Sequence, residues 1–176
     1  MRDLFEKHFG TDEALGVSLV DNRGRHYTPA QADALYNEYG SNMPDLCSEF
    51  PDGTSAITCT NYAIQMARKL QGRTQIFGFA NEDNPDSRVA KEKIHPGGHD
   101  FAVVDNRWLV DPWIRLVAGE SGPICFDMDD ENDAALVLET YGPQECWKRM
   151  SQAEAEAAIS LPAKPVVKTR LNGLSP

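Results

Sequence analysis

The chain has 176 residues, of which 41% are hydrophobic and 25% charged, enough for one sizeable core and cramped for two full domains. A formal net charge of -10, from 27 acidic and 17 basic residues, argues against a surface that tracks nucleic-acid phosphates or an anionic membrane. The expectation is a single domain over residues 1–176, with its core over about 28–150 and a tail over 160–176 that is a docking arm or disordered.

The N-terminal stretch MRDLFEKHFGTDEALG interrupts every apolar run with charges. Neither a signal peptide nor a membrane span is expected there, and the chain is expected to start in the cytoplasm. Asp3 to Phe9 predicts a short amphipathic helix, and GVSLVDNRGRHYT two extended segments around an Asn-Arg-Gly turn. In TPAQADALYNEY, Pro29 follows Thr28, and Gln31 stands where a capping box needs it, so a helix starts here. GSNMPDLCSEFPDGTSA, rich in Gly, Pro, Asn, Asp and Ser, reads as a long loop.

The strongest helix is TCTNYAIQMARKLQG. Cys59, Ala63, Met66, Ala67 and Leu70 recur at three- and four-residue spacing, Arg68 and Lys69 suit the last turn, and Gly72 is expected to end the helix in a left-handed conformation. TQIFGFA follows as a strand, and Asn81 to His95 as a surface loop or a short helix over 86–93. PGGHDFAVVDNRWLVDPW then reads as two strands joined by a turn. Further on, DMDDEND fails the calcium-loop pattern, because the sixth position is not Gly and the twelfth is Leu138; a solvated loop is expected. SQAEAEAAIS opens with a Ser151 and Glu154 capping box.

Chemistry concentrates in the middle of the chain. Cys59 falls where a loop meets a helix, near free N–H groups and the positive end of the helix dipole, an environment that favours a thiolate and supplies a donor for an oxyanion. The plainer reading of a lone cysteine is a small buried residue. His99 follows Pro-Gly-Gly at the start of a strand, where one ring nitrogen can face a thiol and the other an acceptor. Asp111 is the obvious acceptor, at the end of the next strand and before Pro112.

Register decides whether these two meet. A two-residue Asp105-Asn106 loop pairs His99 with Pro112 and turns Asp111 to the wrong face, whereas a three-residue Val104-Asp105-Asn106 loop pairs Val103 with Arg107 and His99 with Asp111. A Cys-His-Asp site therefore demands an odd loop, for which the three-residue one is common; with a two-residue loop the stretch is just a hairpin.

The four cysteines, Cys47, Cys59, Cys125 and Cys146, lack zinc or disulfide spacing. His95 and His99 cannot share a helical turn across Pro-Gly-Gly, so no metal and no cofactor are expected. His8 and His26 suit surface or packing roles. Trp108 and Trp113 flank Asp111 and are expected to shield it, with Trp113 also lining a substrate cleft.

Cys59 opening a helix, then GGHDFAVV, then RWLVDPW, resembles the Cys, His and Asp core of the transglutaminase-like and papain-like superfamily, in the family's order, over about Thr58 to Trp113. The resemblance implies an α+β fold in which a cysteine-bearing helix packs on an antiparallel sheet. It also implies a thioester mechanism with Cys59 as nucleophile, His99 as base and Asp111 as orienting acid. The Cys59 N–H would be one oxyanion donor, and Thr58 or a group from the preceding loop a second; no upstream Gln or Trp stands at the family's spacing for that helper.

Size and scattered thiols resemble protein-glutamine deamidases and related bacterial toxins, which implies a protein substrate and delivery into a target cell by a secretion system. Cysteine proteases and transglutaminases share the same thioester chemistry. A different class of function, a non-catalytic binding module whose acidic surface docks a basic partner, accounts for the same residues without chemistry.

Overall fold

The computed structural model describes residues 1–42 and 45–160, so all but the first residue of the expected tail over 160–176 lies outside the described residues, and Ser160 ends a helix. The chain opens with α1 (Arg2–Phe9), which buries Phe5 and Phe9, and α2 (Asp12–Leu15). β1 (Ser18–Asp21) and β2 (His26–Tyr27) follow, then α3 (Pro29–Tyr39), where Thr28 and Gln31 form the predicted capping box. β3 (Leu46–Glu49) pairs with β1 and completes an antiparallel sheet of order β2-β1-β3. The long loop expected over 40–56 thus contains a strand. LCSE lies at the sheet's edge and is nowhere fully buried, so its composition carries little apolar signal.

α4 (Cys59–Lys69) begins where predicted but ends early. The Leu70 N–H closes it on the Met66 carbonyl, and Gly72, at φ 75, serves the turn beyond. β4 (Thr74–Ala80) matches TQIFGFA residue for residue, and α5 (Arg88–Lys91) is a single turn capped by Ser87. β5 (Gly98–Val104), β6 (Trp108–Val110), α6 (Pro112–Leu116), β7 (Cys125–Asp127), α7 (Glu131–Tyr141), β8 (Lys148–Met150) and α8 (Gln152–Ser160) complete the order. The second sheet, β7-β6-β5-β4-β8, is antiparallel throughout. The fold is therefore α+β, with α4 packed on β5 and β4, and α8 packed on α4 and β4. β5 is buried on both faces, Phe101 and Val103 on one and Ala102 and Val104 on the other, which is why it reads as a continuous apolar run.

The DMDDEND segment is more ordered than the solvated loop expected of it. Asp127 ends β7 and pairs with Arg107, Asp130 caps α7 through the Asn132 and Asp133 N–H groups, and buried Asp133 accepts from Arg2 and from the Asp127 N–H.

The β5–β6 hairpin has an odd loop, shifted by one residue from the expected one. Val104 pairs with Trp108, leaving Asp105, Asn106 and Arg107 between the strands. Asp105 and Asn106 are left-handed, at φ 53 and 54, and the Arg107 N–H donates to the Val104 carbonyl at 3.1 Å. Arg107 is the extra residue, bulged after a two-residue turn. Burial explains the shift: Val104 is fully buried and stays in the ladder, whereas Arg107 makes a bidentate surface pair with Asp127 at 2.7 and 2.6 Å. The expected direct opposition of His99 and Asp111 is corrected accordingly. Continuing the observed register sets Phe101 opposite Asp111, and His99 is two residues along on the same face.

Candidate active site

Cys59 is the first residue of α4. Thr58, extended at φ -92 and ψ 146, caps the helix, its hydroxyl accepting from the Asn61 N–H at 3.4 Å and from Asn61 Nδ2 at 2.9 Å. That geometry sets Cys59 and Thr60 in the first turn, where backbone N–H groups have no intrahelical acceptor. The helix is tied to β5 beside the sulfur. The Asp100 N–H donates to Cys59 Sγ at 3.4 Å, and the Thr60 hydroxyl donates to Asp100 Oδ2 at 2.6 Å. Gly78 makes room for this link, since a Cβ there would lie 1.9 Å from Asp100 Oδ1.

His99 stands opposite Phe79 on β4. At neighbouring Gly98 a Cβ would come within 2.3 Å of the Phe79 carbonyl oxygen, so the glycine of the sequence motif is needed for close strand approach. His99 Nε2 meets Asp111 Oδ2 at 2.6 Å, and both side chains are almost wholly buried. A carboxylate only accepts, which assigns the proton to Nε2. The Asp111 N–H donates to the Ile124 carbonyl at 2.8 Å, and Oδ1 accepts the Ile114 N–H at 3.4 Å as the cap of α6. Pro112 at the first position of α6 suits that role. One residue therefore both caps a helix and holds an imidazole.

With Nε2 engaged, Nδ1 is the ring atom left for Cys59; it is buried and makes no hydrogen bond among the described residues, and Cys59 lies close enough to act on the ring. Burial pushes the His99 imidazole down, but the Asp111 carboxylate, by charge and hydrogen bond, and the adjacent Cys59 push it up, to about 10. An imidazole held positive in this way is placed to act as an acid toward a leaving group. The other cysteines lack this setting: Cys47 is exposed, Cys146 is half-buried, and burial pushes the Cys125 thiol up to about 12.

A cleft of about 410 Å³ opens over the pair, lined by Cys59, Thr60, Phe79, His95, Gly97 and His99 among others. Cys59, His99 and Asp111 thus come together as the spacing suggested. Two expected residues stand elsewhere. Trp113 does not line the cleft; it is 4% exposed, donates from Nε1 to the Ile57 carbonyl at 2.7 Å, and packs its ring 5.1 Å from that of His99. Thr58 commits its hydroxyl to the helix cap and is likewise absent from the lining, whereas Thr60 is present in it.

Sequence reasoning missed three neighbours. The Tyr141 hydroxyl donates to Asp111 Oδ2 at 3.0 Å. The Asp100 N–H on the sulfur carries no side-chain signature. His95, dismissed as a metal ligand, lines the cleft with its ring 5.2 Å from that of Trp113. Among the described residues no group of three or more His, Cys, Asp or Glu side chains is arranged to hold a metal ion, and no helix is long and apolar enough to cross a membrane. Compared with models of known protein families, with curated proteins and with solved structures, the chain matches none.

Proposed function

We propose that the chain is a cysteine-dependent acyl-transfer enzyme of the transglutaminase-like and papain-like kind, which hydrolyses the side-chain amide of glutamine in a target protein. One observation carries this reading: a buried 2.6 Å His99–Asp111 bond leaves the second ring nitrogen to a thiol that lines a 410 Å³ cleft. Buried pairs of this kind also occur as structural ties, but those have no reason to end at a nucleophile on a helix N-terminus.

In the proposed reaction the Cys59 sulfur attacks the carboxamide carbon, and the oxyanion that forms is met by N–H groups of the first turn of α4. His99 then protonates the nitrogen, the C–N bond breaks, and ammonia leaves a thioester. Water, deprotonated by His99, attacks the thioester carbon; the C–S bond breaks, giving glutamate and the thiol. Asp111 holds the imidazole in the tautomer that both steps need. Replacement of the water by an amine gives transglutaminase activity, and a main-chain amide gives proteolysis, by the same steps.

A non-catalytic binding module is favoured by one observation, the 4% exposure of Cys59. Mass spectrometry of glutamine-containing proteins incubated with wild type or Cys59→Ala separates the readings. A gain of about one dalton per site, absent with the variant, is the expected result. Cleavage or a larger adduct redirects the assignment within the class. Identical spectra, together with iodoacetamide labelling of Cys59 no faster than that of the other cysteines, sink the enzyme reading.

A further inference from the structure

Tyr141 is a buried phenol that the proposed mechanism does not use. It sits at the end of α7, fully buried, and its hydroxyl donates to Asp111 Oδ2, the same oxygen that receives His99 Nε2. Its ring lies nearly parallel to the imidazole, with centroids 5.9 Å apart and planes inclined by 24°. Its carbonyl is held by Asn84 Nδ2 at 2.8 Å and Trp147 Nε1 at 2.9 Å. At Gly142, which follows, a Cβ would lie 2.2 Å from Asn84 Oδ1. The tyrosine is fixed at its carbonyl and at the residue that follows, with little freedom to take its hydroxyl elsewhere.

We propose that Tyr141 is a positioning residue of the site, acting through Asp111 to set how strongly His99 holds its proton and stacking on the imidazole to fix its plane. This rests on the cysteine-enzyme reading but not on the identity of the substrate. The physical argument is one of shared charge. A carboxylate oxygen that accepts from a hydroxyl presents less charge to the imidazolium on the same oxygen, so the phenol moderates the Asp111 pull on His99. Without it the imidazolium is over-stabilised, and a histidine that cannot release its proton is a poor acid and base. The ionisable groups facing this cluster are Asp111 after β6, His99 from β5, Cys59 from α4 and, more remotely, Arg88 from α5.

The experiment needs no substrate: the pH dependence of Cys59 alkylation by iodoacetamide, in the full chain. Tyr141→Phe keeps the ring and removes the donor. Its alkaline limb, where His99 loses its proton, is expected to move up by about half a unit or more. In an Asp111→Asn background the same substitution should leave the limb in place, because the hydroxyl acts through the carboxylate. Incorporation of fluorotyrosine, a stronger donor with the same ring, should move the limb down, and it covers the case in which Tyr141→Phe does not fold. A limb moved by His99→Ala but by neither tyrosine change overturns the role of Tyr141 and leaves the enzyme reading intact. A profile that ignores His99→Ala as well overturns both.

Discussion

Two buried carboxylates near strand ends, one in each sheet, have nearly the same surroundings and unlike consequences. Asp21, ending β1, accepts from the N–H groups of Arg23 and Arg25, from Arg25 Nε and from the Tyr27 hydroxyl. Asp111, just beyond β6, accepts from His99 Nε2, the Tyr141 hydroxyl and the Ile114 N–H. Each is almost wholly buried, and each binds a tyrosine and one cationic or basic side chain. What differs is the partner's remaining capacity. Arg25 is a permanent charge on a surface turn, and the network ends with it. His99 titrates and keeps a second nitrogen, which faces a thiol in a cleft. Saturation of a buried carboxylate therefore says little about chemistry; the unspent valence of its partner says more.

The sharpest way to break this contrast is at the nucleophile and base. Cys59→Ala should abolish any amide chemistry, and His99→Ala should slow both turnover and Cys59 alkylation near neutral pH by about 100-fold or more, as followed by mass spectrometry of product and adduct. Matched substitutions at the two carboxylates come next. Asp111→Asn should slow alkylation by about tenfold or more, because the amide no longer stabilises an imidazolium. Asp21→Asn should lower the melting temperature and leave alkylation within about twofold of wild type. Equal effects of the two on alkylation would erase the distinction.

The two regions should also fail at opposite ends of the pH scale. Burial pushes the Asp21 carboxyl up, but the Arg25 and Arg23 N–H groups, the Arg25 guanidinium and Tyr27 outweigh it and take the carboxyl down to about 2. Its contribution is present above the ordinary carboxylate range, about 4, and disappears as the pH falls toward 2. The His99 imidazole is raised instead. Its contribution is complete below about 6.5 and is lost as the pH climbs toward about 10. Thermal melts across pH should show an acid limb flattened by Asp21→Asn and an alkaline limb flattened by His99→Ala. The smallest expected effect is at the helix cap. Thr58→Ala should cost about 1 kcal/mol, largely restored by Thr58→Ser, read from chemical denaturation.

What the sequence made legible follows from how local each signal is. Thr58 and Cys59 could be placed at a helix start because a cap is decided within four residues, and β4 because TQIFGFA is bounded by a turn and a polar stretch. The meeting of His99 with Asp111 was legible as a question of odd or even loop length, although the residue that supplies the odd count was misassigned. That assignment depended on burial of Val104 by elements distant in sequence. β3 and β8 were missed because LCSE and KRM are short and at most half-buried, and they owe their strand character to backbone pairing with β1 and β4. Tyr141 was invisible for another reason. It lies 30 residues beyond Asp111, on a helix whose packing against the sheet no local pattern reveals.

The bulged Arg107 has a consequence for how this chain tolerates length changes. It sits at the hairpin's far end, beyond Val104, which is five residues of β5 from His99, about 17 Å along the strand. Deleting that one bulged arginine would leave the two-residue Asp105-Asn106 turn, which still pairs Val104 with Trp108 and keeps Asp111 within the imidazole's reach. Deleting Asn106 as well would leave one residue, too few to turn the chain between Val104 and Trp108, so the ladder would slip by one step and Asp111 would face away from His99. For this hairpin the first residue lost spares the site and the second does not, and a tip without chemistry of its own acts as the frame in which the site is read.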